Sequence, residues 1–202
     1  MISALTADFV REGAQANKPL ELRKARMSDI PALLDLINGY AARGIMLPRT
    51  ELEMSESIRD FSVALSGGGL VGCGALHFYS PVVGEIRSLA VREDAKTHGV
   101  GRQLVETLVI EAGEVSLACV FAFTYVPGFF QKLDFEEVER GALPLKVWKD
   151  CVRCPKFQSC DEIAVMRVLR PDKWLDCTPK WGHSISPEEG TVNVILPIIR
   201  KQ

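Results

Sequence analysis

The sequence predicts a mixed α/β fold, and three observations carry that prediction. Apolar residues alternate in the manner of strands on both sides of Ser66-Gly67-Gly68-Gly69, a glycine-containing hairpin signal. A third strand-like run, Glu85 to Val91, ends in Leu89-Ala90-Val91 and feeds the loop Lys96-Thr97-His98-Gly99-Val100-Gly101. Behind that loop, Val100, Leu104 and Leu108 form one apolar row with Val105 and Val109 beside it, the repeat of an amphipathic helix.

From the N-terminus, residues 1–19 commit to neither strand nor helix and read as an N-terminal extension. Glu21 to Arg26 alternates as a half-buried strand, and Ser28 is placed to cap a helix with apolar positions at Ile30, Leu33, Leu34 and Ile37, closed by Gly44. Thr50 and Glu53 have the spacing of a capping box, which predicts a second short helix through about Arg59. Phe61–Leu65 and Leu70–His77 form the hairpin, and Glu85–Val91 completes a meander. After the Gly99 helix come a buried strand over Leu117–Phe123, a short helix over Val126–Lys132 and a further strand over Ile163–Leu169. Residues 171–202 read as a C-terminal extension whose apolar run Val192–Ile199 forms a tail strand on the domain or on a partner.

With 202 residues, 47% of them hydrophobic, one domain with extensions at residues 1–19 and 171–202 is the expectation. Lys and Arg total 24 against 26 Asp and Glu, a net charge of -2, so nothing calls for nucleic acid and a small polar substrate is expected. No apolar run reaches the ~18 residues of a membrane span, and Asp8 and Arg11 stand where a signal peptide has its apolar core. No membrane partner and a cytoplasmic location follow as expectations, with a homodimer left open. Six cysteines in such a compartment are expected to stay reduced, with Cys73 and Cys119 as core residues. Cys151-x-x-Cys154-x5-Cys160 opens like a zinc site, but structural zinc takes four ligands. Cys177 or His183 are the candidates for a fourth; the expectation is no metal and a reduced, partly buried loop.

Unpaired amides at a helix N-terminus attract anions, so the Gly99 loop reads as a phosphate site, with an ordinary strand-to-helix turn as the alternative. It is not a Walker A sequence, since no Gly-Lys-Ser/Thr follows, and it lacks the three-glycine dinucleotide spacing. Its Lys-x-x-Gly-x-Gly resembles the Arg/Gln-x-x-Gly-x-Gly/Ala pyrophosphate loop of the GCN5-related N-acetyltransferases (GNAT), with Lys96 in place of the usual Arg or Gln. Met46-Leu47-Pro48-Arg49-Thr50, Gly72 to His77, Gly84 to Ser88, and Leu143 to Trp148 through Cys160-Asp161-Glu162 resemble the acetyltransferase-only bacterial N-acetylglutamate synthases. The resemblance covers about residues 20–170.

That resemblance implies a mixed, mostly antiparallel central sheet flanked by helices and splayed between the Glu85 and Leu117 strands. It implies acetyl-CoA as cosubstrate. The backbone of Leu89, Ala90 and Val91 would hold pantetheine, and Lys96, Thr97, His98, Gly99, Val100, Gly101 and Arg102 the pyrophosphate. It further implies direct acetylation of the α-amine of L-glutamate, giving N-acetylglutamate for arginine biosynthesis. The alternatives are another amine (glutamine, a peptide N-terminus, a small molecule) and a non-catalytic acyl-CoA-binding regulator.

An α-amine is mostly protonated at neutral pH and needs a base. Glu85 is the first candidate and His77, more often a structural type of residue, the second. Arginine grips a carboxylate bidentately, which selects Arg49 and Arg87, with Ser88 beside Arg87 and Lys146 as a further cation. Many family members carry a tyrosine at the position of Phe130 to protonate the leaving thiolate; here Tyr125 is the substitute, and Asp134 replaces a turn glycine.

Overall fold

The computed structural model describes residues 19–140, 143, 151, 154, 156 and 159–175. The predicted alternation becomes one seven-stranded sheet. Strand β1 (Leu20–Lys24) pairs antiparallel with β2 (Phe61–Ser66), which turns through Gly67 and Gly68 into β3 (Gly69–Phe78). β3 pairs with β4 (Val83–Val91), and β4 runs parallel to β5 (Cys119–Thr124). β5 pairs with β7 (Ile163–Val168), and the two-residue β6 (Glu136–Glu137), which the sequence did not signal, lies on the outer edge. The order is β1-β2-β3-β4-β5-β7-β6, with β4–β5 the one parallel neighbour pair among the described residues.

Successive strand residues point to opposite faces, so each face has its own core. Helix α1 (Ile30–Ala41) and α2 (Glu51–Ser57) bring Leu33, Ile37 and Met54 onto Phe61, Val63, Cys73 and Ala75. Helix α3 (Val100–Glu114) brings Val105, Leu108 and Ala112 onto Leu76, Ile86, Val120 and Ala122, and α4 (Pro127–Gln131) adds Phe130 to that side. A five-residue helix, Pro171–Leu175, opens the stretch read as a C-terminal extension. Residues 1–18 and the tail run Val192–Ile199 lie outside the described residues.

The second helix starts as predicted: Thr50 Oγ1 accepts from Glu53 N at 3.2 Å and Glu53 Oε2 accepts from Thr50 N at 2.9 Å. The first does not. Ser28 sits inside a 3-10 turn, Met27–Asp29, and the capping role belongs to Asp29, whose carboxylate accepts from Arg26 N at 2.7 Å. Arg23, reaching over from β1, supplies two further bonds of 2.7 and 2.9 Å and holds the Asp29 carboxyl below the usual carboxylate range. A charged acceptor with three donors outcompetes a neighbouring hydroxyl.

Gly72 and Gly74 lie under α3, where side chains would block its approach. A Cβ on Gly72 would meet Leu104 Cδ1 and Val100 Cγ1 at 3.0 Å and the carbonyl oxygen of Ala90 at 3.2 Å. Gly72→Ala is therefore expected to cost about 1–3 kcal/mol through forced displacement of α3. Urea unfolding checks this; an unchanged midpoint would show that α3 does not close on β3 this tightly.

Candidate active site

The site begins where two strands part. β4 and β5 are in register over only three pairs, Val83–Cys119, Gly84–Val120 and Glu85–Phe121, after which Ile86–Val91 leaves its neighbour. The splay lies between the strands where it was expected. On the other side of β4, Arg87 pairs with Ala75 and Ala90 with Cys73, so Ser88 and Leu89 together oppose Gly74. This is a bulge, with Ser88 in the left-handed region at φ 52°. Beyond it Arg92 N donates to Val71 O, which makes Val91–Gly72 a non-hydrogen-bonded pair and turns the amide groups of Val91 away from β3. The Val91 carbonyl accepts from the Tyr40 hydroxyl at 2.5 Å, which leaves the Val91 N–H as the group facing the parting.

The glycine loop is more ordered than its sequence suggested. Glu93–His98 forms a 3-10 turn, and Gly99, at φ 73°, caps α3 in a conformation that disfavours any side chain. Gly101 does not turn the chain. It lies in the first turn of α3, where a Cβ would meet Phe129 at 3.5 Å and Val91 at 3.6 Å, ordinary contact distances. Val100 is buried and presents backbone only. Lys96 Nζ binds Glu93 at 2.9 Å, Arg102 Nε binds Glu106 at 2.8 Å, and Thr97 Oγ1 lies 3.5 Å from His98 Nδ1. A helix N-terminus with exposed cations beside a parted strand fits an extended anionic coenzyme.

At the parting lies a cavity of about 410 Å³, walled by the α1–α2 connection, the β4 bulge, the end of β5 and Cys151, Cys154, Lys156, Cys160 and Glu162. Glu85, Arg87, Ser88, Leu89, Arg49 and Tyr125 all line it. Glu85 is buried; its Oε2 accepts the Tyr79 hydroxyl at 2.9 Å and lies 4.0 Å from Arg87 Nη1. Arg49 is held by its backbone, which Asn38 clamps through bonds of 2.9 and 3.0 Å, and its Nη2 reaches Ser88 Oγ at 3.5 Å. Tyr125 stands at the rim, its hydroxyl accepting from Lys156 Nζ at 3.1 Å. Burial pushes that phenol up, with Lys156 opposing. His77, opposite Glu85 on β3, does not line the cavity; its Nδ1 is 2.7 Å from Asp60 Oδ2. Lys146 lies outside the described residues.

Four titratable residues of the cavity were given no role from sequence: Tyr79, Arg140, Lys156 and Glu162. Tyr79 had a signal, since two residues past His77 it falls diagonally across the hairpin from Glu85. The others had none, because β5–β7 pairing and the segment ahead of it bring them in. Arg140 Nη2 donates to Cys160 Sγ at 3.2 Å and to the Glu162 carbonyl. Burial raises the Glu162 carboxyl against the pull of Arg140. Cys151, Cys154 and Cys160 are thiols on the same cavity, and among the described residues no three His, Cys, Asp or Glu are grouped to hold a metal ion.

An Acetyltransferase (GNAT) domain model matches residues 57–137, from the end of α2 to β6. The chain is 43% identical over 148 residues to an uncharacterized N-acetyltransferase of Chlorobaculum tepidum, a match over 73% of this chain and 96% of that relative. It is 35% identical over 135 residues to an amino-acid acetyltransferase of Mycobacterium tuberculosis, over 65% of this chain and 77% of the relative. Among solved structures, N-acetylglutamate synthase from Neisseria gonorrhoeae, complexed with coenzyme A and N-acetyl-glutamate, matches with a TM-score of 0.69 and 27% identity, over 76% of this chain and 36% of that one.

The cavity wall makes its own prediction. Burial, with Cys160 and Glu85 adding, pushes the Cys151 thiol up to about 11. At pH 8 iodoacetamide is expected to label Cys151 about 10²-fold more slowly than an unperturbed thiol. Mass spectrometry of a labelling time course reads this, and labelling at the unperturbed rate would remove Cys151 from the cavity wall.

Proposed function

We propose that this chain, which belongs to the GNAT acetyltransferase family and is an acetyl-CoA-dependent N-acetyltransferase, transfers the acetyl group to the α-amine of L-glutamate. One observation carries the reading: a buried carboxylate, Glu85, opens on the same cavity as Arg49 and Arg87, at the point where β4 and β5 part. An amine acceptor needs a base and an amino-acid acceptor needs cations, and the cavity holds both. Residues 20–170 are assigned as the acetyltransferase domain, acting in arginine biosynthesis in the cytoplasm.

In this mechanism Glu85 takes the proton of the ammonium, directly or through one water. The neutral nitrogen then attacks the thioester carbonyl, the C–N bond forms, and the C–S bond breaks as the tetrahedral intermediate collapses. Tyr125, whose phenol burial pushes up, gives its proton to the departing thiolate and takes back the second proton that the nitrogen sheds as the intermediate collapses. The products are the N-acetyl amino acid, free thiol and one released proton. Arg49 and Arg87 orient the acceptor carboxylates, and their rate contribution comes from holding the amine in line with the carbonyl. An acceptor with a neutral side chain, such as glutamine, is the second reading; it is favoured by Glu162, whose carboxyl group shares the cavity and opposes a second carboxylate on the acceptor.

Glu85→Gln keeps the shape of the side chain and removes the base. Turnover is expected to fall by ~10²-fold or more near neutral pH, with partial recovery as alkali deprotonates the amine and with coenzyme affinity almost unchanged. Wild-type rates at every pH would exclude Glu85.

For the acceptor, Arg49→Lys and Arg87→Lys are expected to raise KM for the amino acid and leave that for acetyl-CoA in place. The alanine variants should cost about 2–4 kcal/mol in kcat/KM. Running glutamate against glutamine separates the two readings: the arginine facing the γ-carboxylate loses most of its effect with glutamine. Wild-type kinetics in all four variants would mean the acceptor binds elsewhere.

A further inference from the structure

We infer that Tyr79 is a positioning residue that aims the Glu85 carboxylate into the acceptor cavity and favours its ionised form, an inference that rests on the reading of Glu85 as the base. Tyr79 N donates to Val83 O at 3.0 Å and closes the β3–β4 hairpin, so the tyrosine ring lies on the same sheet face as Glu85, one diagonal step away. The ring is only 9% exposed. It rests tilted on Phe121 at 5.7 Å and meets the edge of His77 at 5.1 Å, and His77 is itself tied to Asp60. A phenol wedged in this way has little rotational choice, and its hydroxyl ends 2.9 Å from Glu85 Oε2.

The chemistry of a base explains why that bond matters. A carboxylate must be ionised to accept a proton, and burial alone opposes ionisation. A hydroxyl donor stabilises the ion and fixes the carboxylate plane, without the positive charge of a lysine or arginine that would repel an ammonium substrate. The other charged and titratable groups around Glu85 come from several elements. Arg87 on β4 adds to the effect of Tyr79 at 4.0 Å, His77 lies opposite on β3, and Arg49 faces in from the α1–α2 connection. Arg140 and Lys156 supply further positive charge, Glu162 works against ionisation, and Cys151, Cys154, Cys160 and Tyr125 complete the wall. Because Arg87 remains when Tyr79 is altered, the effect of losing the hydroxyl is graded.

The test is the pH profile of kcat, with thiol release from acetyl-CoA and glutamate as the readout. Tyr79→Phe keeps the ring packing and deletes the donor. It is expected to lower kcat ~10-fold near neutral pH, to leave KM for acetyl-CoA unchanged, and to move the acidic limb up by about one pH unit, the scale of one charge-assisted hydrogen bond. A singly fluorinated tyrosine at position 79, nearly the same shape and a stronger donor, should move the limb the other way, and it decides the matter should Tyr79→Phe fail to fold. A merely structural tyrosine would change the yield of folded enzyme and leave the limb in place. Glu85→Gln is run beside them. Slow turnover in Glu85→Gln with wild-type profiles in the Tyr79 proteins overturns this inference alone, whereas wild-type turnover in Glu85→Gln overturns the base reading and this inference with it.

Discussion

The three-residue partnership of β4 and β5 is the constraint on which the rest of the site depends. β5 stays with β7 out to Thr124–Ile163, so the separation occurs entirely on its β4 side. Parallel pairing is the weaker kind, and here two devices end it. The Ser88–Leu89 bulge redirects β4 just past Glu85–Arg87. At the end of β5 the Thr124 hydroxyl accepts from Val126 N, and Pro127 then starts α4. Backbone amides left by a departing neighbour are costly to bury unpaired, so the parting favours anything that brings its own amides. A pantetheine chain has that chemistry, and the mouth of the gap meets the N-terminus of α3, the site proposed for its phosphates.

Helix α1 ties the two sides of this arrangement together. Leu33 and Ile37 anchor it in the core beneath the sheet. From that anchored rod Asn38 clamps the backbone of Arg49, which lines the acceptor cavity. Two residues on, and so roughly half a turn around the helix, Tyr40 reaches the Val91 carbonyl at the coenzyme end. The Tyr40 ring also lies between two cations, Arg43 at 4.3 Å and Lys96 at 5.2 Å, both of which bind Glu93. One rigid element thus sets the distance between the arginine proposed for the acceptor and the loop proposed for the pyrophosphate. Acetyl transfer by direct attack requires such a fixed distance, because most of its rate gain comes from orientation.

Every strand but β6, the two long helices and the capping box at Thr50 were legible in the sequence because each rests on a local signal: alternation, the helical repeat, or two residues three apart. The close approach of α3 at Gly72 and Gly74 was not read from the sequence and emerges only from the packing. The acceptor cavity was legible only in part. Glu85, Arg87 and Arg49 came from residue chemistry and resemblance, and the fold gathers them on one wall. What stayed hidden depends on register. A bulge shifts which residues face the cavity, and nothing in Arg87-Ser88-Leu89 announces one; Ser88 adopts its left-handed φ because the sheet on both sides determines it. The Ser28 cap failed for a related reason, since the competing Asp29 draws on Arg23, six residues back in β1, a pairing that neither the strand alternation nor the helical repeat signals.

The two carboxyl groups of the cavity are distinguished by their neighbours, and this asymmetry supports giving the base role to Glu85. Glu85 has a hydroxyl donor at 2.9 Å and a guanidinium at 4.0 Å. Glu162 has Arg140 on its carbonyl and is dominated by burial, which moves its carboxyl towards the neutral form. Titratable groups placed in different surroundings take different chemical roles. Burial acts in the same way on the Cys151 thiol. A thiol near a thioester invites acyl transfer to sulfur, and only the thiolate is nucleophilic. With its thiol pushed up to about 11, Cys151 is thiolate in only ~10⁻⁴ of molecules at neutral pH. Cys73 and Cys119 are sealed in the core. An acyl-cysteine route through Cys151 would need the ion that its burial suppresses, whereas direct attack needs the carboxylate that Tyr79 and Arg87 support.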